Sequence, residues 1–174
     1  MSKHAEDELY LEGLIKAWGM RKLEIISGSP RSAIYQWRPS RSNVPPDAAL
    51  RICAQAEPLG YYVEQLCPKL DWHLLYLGRD RRTSYKGLAD IDDIAAVAKD
   101  IGVTRIARAA RRSRQNVYDA MKAEQCPVWF ALALERSSER RYLVEDFRPD
   151  LPWWPLYSRR EMVQPFRKSQ ISRD

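Results

Sequence analysis

The sequence predicts an all-α fold that contains two tandem copies of one small helical domain. Three observations predict it: apolar residues recur at the three- and four-residue spacing of amphipathic helices, glycines and prolines separate these stretches, and the chain resembles itself after a shift of 81 to 83 residues. The chain has 174 residues, which is enough for two small domains. Its content of 45% hydrophobic and 30% charged residues is typical of a folded globular protein.

The repeat is most specific near the end of each copy. The first copy reads Tyr61-x-Val63-Glu64-x-Leu66-x-Pro68-x-Leu70-x-Trp72-x-x-Leu75-Tyr76, and the second reads Tyr142-x-Val144-Glu145-x-Phe147-x-Pro149-x-Leu151-x-Trp153-x-x-Leu156-Tyr157. Helical periodicity alone would not reproduce prolines and tryptophans at fixed spacing. Proline suits specific turns, and tryptophan must fill a specific cavity in the core. We therefore expect two homologous domains at residues 8–78 and 90–158, a basic linker at 79–89 and a basic tail at 159–174.

The first copy begins with a predicted helix whose apolar face carries Leu11, Leu14, Ile15 and Trp18. A second helix places Leu23 and Ile26 toward the core, and a turn at residues 27–29 ends it. Ser29 before Pro30 predicts the start of a third helix that runs to about Trp37, since serine caps free amides and proline suits a first helical turn. Prolines 45 and 46 open a fourth helix, and residues 72–77 could include an extended segment.

The second copy follows the same plan. Asp90 or a neighbour is expected to cap the first helix, with Asp92 and Asp93 in its first turn and with Ile94, Val97, Ala98 and Ile101 on one face. Gly102 ends this helix, and the next one turns Ile106, Ala107 and Ala110 inward and Arg105, Arg108 and Arg111 outward. A third helix from Ser113 to Lys122 turns Val117 and Met121 toward the core, and Pro127 opens the fourth.

Two short helices joined by a tight turn form the helix-turn-helix pattern. With the proline-initiated helix and the ending Phe147-Arg148-Pro149-Asp150-Leu151-Pro152-Trp153, each copy resembles the lambda-repressor-like, Cro-like regulators, in particular the short YdaS-like type of prophages and some toxin-antitoxin loci. The resemblance covers most of both copies and implies two tandem lambda-repressor-like helix-turn-helix domains.

Two positions depart from the family pattern. The usual turn glycine is Gly28 in the first copy but Arg111 in the second, where a left-handed conformation costs on the order of 1 kcal/mol. The usual small residue of the preceding helix is Ala107 in the second copy but Glu24 in the first.

The resemblance implies that the third helix of each copy lies in the major groove of double-stranded DNA, where its early residues reach base edges. The expected base contacts are Arg31, Ser32, Tyr35 and Gln36 in the first copy and Arg114, Gln115, Tyr118 and Asp119 in the second. Arginine suits guanine and glutamine suits adenine. Asp119 either accepts a hydrogen bond from the amino group of cytosine or forms an ion pair with a neighbouring arginine.

Phosphate contacts are expected from a further set of basic residues: Lys22, Arg38, Arg41, Arg105, Arg111, Arg112 and Lys122. A net charge of +6 favours a polyanionic partner, and residues 104–115 hold five arginines and no acid. Two reading helices in one chain could imitate the usual dimer on a pseudo-palindromic operator, with half-sites about one helical turn, ~34 Å, apart. Association of two chains stays open.

The expected function is therefore that of a sequence-specific DNA-binding transcriptional regulator, a repressor of the prophage or mobile-element kind. The alternative is a protein-interaction factor, such as an antitoxin or phage-encoded inhibitor, with weak or no specific DNA binding. An enzyme is not expected, because the chain has two histidines and none of the phosphate-loop, H-E-x-x-H or nucleophile motifs. No cofactor or metal is expected either.

The cysteines and the absence of long apolar runs predict a cytoplasmic protein that binds no membrane. Cys53, Cys67 and Cys126 are odd in number and fit neither a disulfide framework nor paired metal knuckles, so buried thiols are expected. No apolar run approaches the length of a membrane span, and the first residues lack the apolar core of a signal peptide.

Overall fold

The computed structural model describes residues 3–37, 44–56, 62–68, 70, 72, 93–139, 141–153 and 156, with side chains from residue 10 onward. These residues form ten helices and no strand, which confirms the predicted all-α class. Several predictions lie outside the described residues: the phosphate contacts Arg38 and Arg41, the helix start at Asp90 and Asp92, most of the segment 72–77, the linker and the tail.

The described residues fall into two compact units, one within residues 1–81 and 152–174 and the other within residues 82–151. The first unit contains α1 (Lys3–Trp18), α2 (Met20–Ser27), α3 (Arg31–Trp37), α4 (Pro46–Ala56) and α5 (Val63–Leu66). Helix α2 packs against α1, α3 and α4, and α5 packs against α1 and α4. Helix α2 is therefore the centre of the first unit.

The second unit contains α6 (Ile94–Ile101), α7 (Val103–Ala110), α8 (Arg114–Met121), α9 (Val128–Ser137) and α10 (Val144–Phe147). Helix α7 packs against α6, α8 and α9, while α9 also contacts α6 and α10. The second unit thus repeats the arrangement of the first around α7.

The repeat found in the sequence recurs in the helix bounds. Helices α2 and α7 both have eight residues and begin 83 residues apart, and α5 and α10 both have four residues and begin 81 apart. Equivalent core residues are buried in both copies: Leu23 with Ile106, Ile34 with Val117, Ile52 with Leu134, Val63 with Val144, and Leu66 with Phe147. The repeat therefore reflects one packing scheme used twice.

Some residues expected in the core are only half-buried. Ile26 and Met121 lie at the edge of their helices' apolar faces, and the buried residues there are Ser27 and Ala120. The apolar face of an eight-residue helix is narrow, so Val117 and Ala120, three residues apart, already fill it. Ile15, Trp18, Ile94, Val97 and Ala110 are likewise half-buried.

The helix starts correct two further predictions. Asp93 does not sit in the first turn of α6 but is its N-cap, and its Oδ1 accepts from the Ala96 amide at 2.9 Å. Helix α3 begins at Arg31, and the Pro30 carbonyl accepts the Ile34 amide at 3.2 Å. Pro30 therefore holds the position that Ser113 holds before α8, and the predicted Ser29 cap is displaced by one residue.

The turns inside the two helix pairs α2–α3 and α7–α8 have the same backbone form. Gly28 has φ 67° and ψ 21°, and Arg111 has φ 52° and ψ 44°, so both lie in the left-handed region. The Gly28 amide donates to the Glu24 carbonyl, and the Arg111 amide donates to the carbonyls of Ala107, the residue equivalent to Glu24, and Arg108. The second unit thus keeps the turn without its glycine, at the conformational cost expected for a residue with a Cβ.

A buried arginine ties the end of α10 to the start of α9. Arg148 has a side chain that is 3% exposed; its Nε and Nη2 donate to the two carboxylate oxygens of Asp150 at 2.7 and 2.8 Å. Its Nη1 donates to the Cys126 carbonyl at 3.0 Å, just before Pro127. The first copy has Cys67 at the position equivalent to Arg148, and the Cys67 carbonyl accepts from the Trp72 indole at 2.7 Å.

All three cysteines are buried free thiols, as predicted. Among the described residues, no helix combines the length and apolar character needed to cross a membrane.

The left-handed turns make a matched pair of stability predictions. Arg111→Gly should raise the free energy of unfolding by about 1 kcal/mol, because glycine adopts this region without a Cβ penalty. Gly28→Ala should lower it by about as much, because alanine meets the Cβ penalty at φ 67°, while the Arg51 guanidinium, 2.9 Å from the new Cβ, is the flexible end of its side chain. Urea unfolding followed by circular dichroism measures both. A change of the same sign in the free energy of unfolding of both variants would contradict the shared turn conformation.

Removal of the Arg148 guanidinium should destabilise the protein by about 2 kcal/mol, because the Cys126 carbonyl and the Asp150 carboxylate lose the hydrogen bonds that this nearly buried guanidinium donates. Arg148→Met keeps much of the side-chain volume and isolates this effect. Arg141→Met is the control, since Arg141 meets Asp100 at 3.5 Å in an exposed pair, whose loss should change stability by less than about 0.5 kcal/mol. Equal urea midpoints for the two variants would contradict a larger contribution to stability from Arg148 than from Arg141.

Candidate nucleic-acid interface

Helix α8 of the second unit is held at its start by a reciprocal cap. The Ser113 hydroxyl accepts from the Asn116 amide at 3.2 Å, and the Asn116 side-chain oxygen accepts from the Ser113 amide at 3.2 Å and hydroxyl at 2.7 Å. Such a capping box satisfies backbone amides that the helix cannot pair itself. The first turn of α8, which carries the predicted base contacts Arg114 and Gln115, is therefore held by side-chain hydrogen bonds.

The four predicted base contacts of α8 share one exposed face. Arg114, Gln115, Tyr118 and Asp119 follow one another at helical spacing, and all are exposed, with Tyr118 46% exposed. The Gln115 side-chain amide donates to Oδ1 of Asp119 at 2.8 Å. Asp119 thus has a hydrogen-bond partner one turn away on its own helix, and this partner is a glutamine and not the arginine considered from the sequence.

Helix α3 presents the matching face in the first unit. Arg31, Ser32, Tyr35 and Gln36 occupy the positions equivalent to Arg114, Gln115, Tyr118 and Asp119, and all four are exposed, with Tyr35 47% exposed. On the opposite side, Ile34 and Trp37 are buried. Each unit therefore brings its own sequence-predicted base contacts together on the outward face of one helix, α3 or α8.

The equivalent cations Lys22 and Arg105 stand on the first helix of each pair, and both are held by a neighbour. The Lys22 ammonium lies 5.2 Å from the centre of the Trp18 ring. The Arg105 guanidinium donates to Oε1 of Glu139 at 2.6 Å, in a pair with both side chains more than half exposed. Arg105 would therefore interact with Glu139 as well as with any phosphate. The sequence could not indicate this ion pair, because Arg105 and Glu139 are 34 positions apart.

Arg112 is positioned by an aromatic ring beside the capped start of α8. Its guanidinium carbon lies 4.6 Å from the centre of the Trp129 ring in α9. A cation stacked in this way loses less side-chain freedom when it binds an anion, and its outer edge still carries N–H donors. Arg111 and Lys122, at the two ends of the same segment, are exposed as predicted for phosphate contacts.

The structure adds two exposed cations that the sequence argument did not include among the phosphate contacts. Arg21 of α2 and Arg108 of α7 are both exposed on the first helix of a pair. Arg108 was recognisable from its outward helical position, whereas Arg21 had no signal beyond its charge. Within the described part of the chain, no group of histidine, cysteine and carboxylate side chains comes close enough to hold a metal ion.

Comparison with known proteins adds no relative to this geometry: no family model matches the chain, and neither curated proteins nor solved structures show significant similarity to it. The residues of the two outward helix faces are therefore the features that indicate a function.

Proposed function

We propose that this protein is a sequence-specific DNA-binding transcriptional regulator, a repressor of the prophage or mobile-element kind. In this proposal each unit is a lambda-repressor-like helix-turn-helix domain, in which α3 and α8 enter the major groove and α2 and α7 cross the DNA backbone. The protein would act in the cytoplasm on double-stranded DNA without a cofactor.

The observation that carries the proposal is the duplicated outward face. An arginine is the first residue of both α3 and α8, a tyrosine follows four residues later, and the side chains between core positions are polar and exposed in both copies. Early residues of a groove-facing helix are those that reach base edges, and an arginine there can donate two hydrogen bonds to guanine. One such face could arise from solubility alone, but the same chemistry at equivalent positions favours a common ligand.

The surrounding charge supports a phosphate backbone as part of that ligand. All five arginines between residues 104 and 115 are exposed, and the left-handed turn places Arg111 and Arg112 directly before the capped start of α8. Phosphate contacts fix register and depend on salt, while base contacts give sequence preference. The second unit thus combines both kinds of contact in one continuous segment.

A protein-interaction factor is the second candidate, and Asp119 favours it. This carboxylate lies on the outward face of α8, where its charge opposes DNA phosphates. The replacement of the turn glycine by Arg111 does not favour it, because the backbone there has the same left-handed form as at Gly28.

The DNA-binding proposal predicts that Arg31→Ala and Arg114→Ala each weaken binding to a preferred duplex by roughly 5- to 150-fold, since each removes a contact worth roughly 1–3 kcal/mol. The wild-type chain first selects its duplex from a randomised pool, and fluorescence anisotropy titrations then compare that duplex with a scrambled one at two salt concentrations. Lys16→Ala and Lys99→Ala serve as controls, because they remove the same charge from exposed positions of α1 and α6.

An arginine variant that differs no more than the controls would contradict a reading role for its helix. Binding that high salt abolishes and that ignores sequence would replace the proposal with the protein-interaction role.

A further inference from the structure

The two outward faces share two positions and differ at two. Arg31 and Tyr35 have the same residue types as Arg114 and Tyr118, and the tyrosines are equally exposed at 47% and 46%. Ser32 and Gln36 are replaced by Gln115 and Asp119. The buried positions of the two helices are equivalent, with Ile34 and Trp37 in α3 and Val117 and Ala120 in α8. The four differing outward residues are all exposed, on the surface that the proposed function assigns to DNA bases.

The differing pair in the second unit is not two independent side chains. Gln115 donates one amide hydrogen to Oδ1 of Asp119 at 2.8 Å, so the glutamine keeps its oxygen and one N–H for other partners. The carboxylate keeps acceptor positions and has no donor. This arrangement orders both groups before any ligand arrives and presents a fixed acceptor at residue 119.

The pair in the first unit presents different chemistry. The Gln36 amide both donates and accepts, and the shorter Ser32 hydroxyl also does both. In the major groove, guanine and thymine present acceptors but no amino group, while cytosine and adenine each present one. A base that faces Asp119 must therefore offer an amino hydrogen, whereas Gln36 imposes no such requirement and pairs best with adenine.

We propose that the two units read different half-sites, so that the preferred DNA site of one chain is asymmetric, and that the hydrogen-bonded pair Gln115 and Asp119 sets the difference. The shared arginines specify a guanine in both half-sites. The base facing Asp119 carries a major-groove amino group and excludes guanine and thymine. This inference rests on the proposed DNA-binding function and assigns its specificity.

The test uses the full chain and the duplexes it selects from a randomised pool. The selected duplex should contain two unlike half-sites that share a guanine. Replacement of either half-site by a copy of the other should weaken wild-type binding by about ten-fold, measured by anisotropy titration. Asp119→Gln, which gives α8 the residue that α3 has at this position, should abolish most of the preference for the base opposite residue 119.

Glu124→Gln is the matched control, because it removes the same exposed negative charge just beyond α8. Both variants should bind all DNA somewhat more tightly through reduced repulsion, but Glu124→Gln should leave the ratio between the natural and the duplicated site unchanged. The ratio of the affinities for the natural and the duplicated site therefore separates an effect on sequence specificity from an effect of overall charge.

Three results would overturn the inference while leaving the DNA-binding function in place: two identical half-sites, a single half-site, or a ratio that Asp119→Gln and Glu124→Gln change equally. Selection of no duplex above a scrambled control would overturn the DNA-binding function and this inference together.

Discussion

The structure depends on the burial of one apolar side chain under each outward helix. Helices α3 and α8 have seven and eight residues, and helices of that length do not persist alone in water. Each persists because Ile34 or Val117 is completely buried while the preceding helix packs against α4 or α9. The inner face of these helices is therefore constrained by the core, and the caps and turns only set where each helix begins.

That constraint leaves the outer face free to change between copies. Residues 31 and 114 agree, while residues 36 and 119 differ, although equivalent positions of the two helices are buried beneath them. The turn shows the same tolerance, since Arg111 takes the left-handed backbone of Gly28. A duplicated scaffold with variable outer residues is suited to reading two related but unlike ligand surfaces, which is the basis of the proposed asymmetric site.

Much of this arrangement could be predicted from the sequence, because periodicity, glycines, prolines and the repeat are local or directly comparable signals. They predicted the helix pairs, a helix start at Ser113 and the grouping of Arg114 with Tyr118. The missed features depend on contacts between distant residues or on fine rotation of a helix. Burial of Arg148 requires the Cys126 carbonyl, 22 residues away, and the ion pair of Arg105 requires Glu139.

In the proposed function, two equivalent helices of one chain enter the major groove of DNA. Methylation interference distinguishes the grooves, because guanine N7 lies in the major groove and adenine N3 in the minor groove. On a duplex that the wild-type chain selects, N7 methylation should block binding at two separate groups of guanines, and Arg31→Ala or Arg114→Ala should each abolish the effect at one group. Interference at no guanine, or only at adenine N3, would contradict the account.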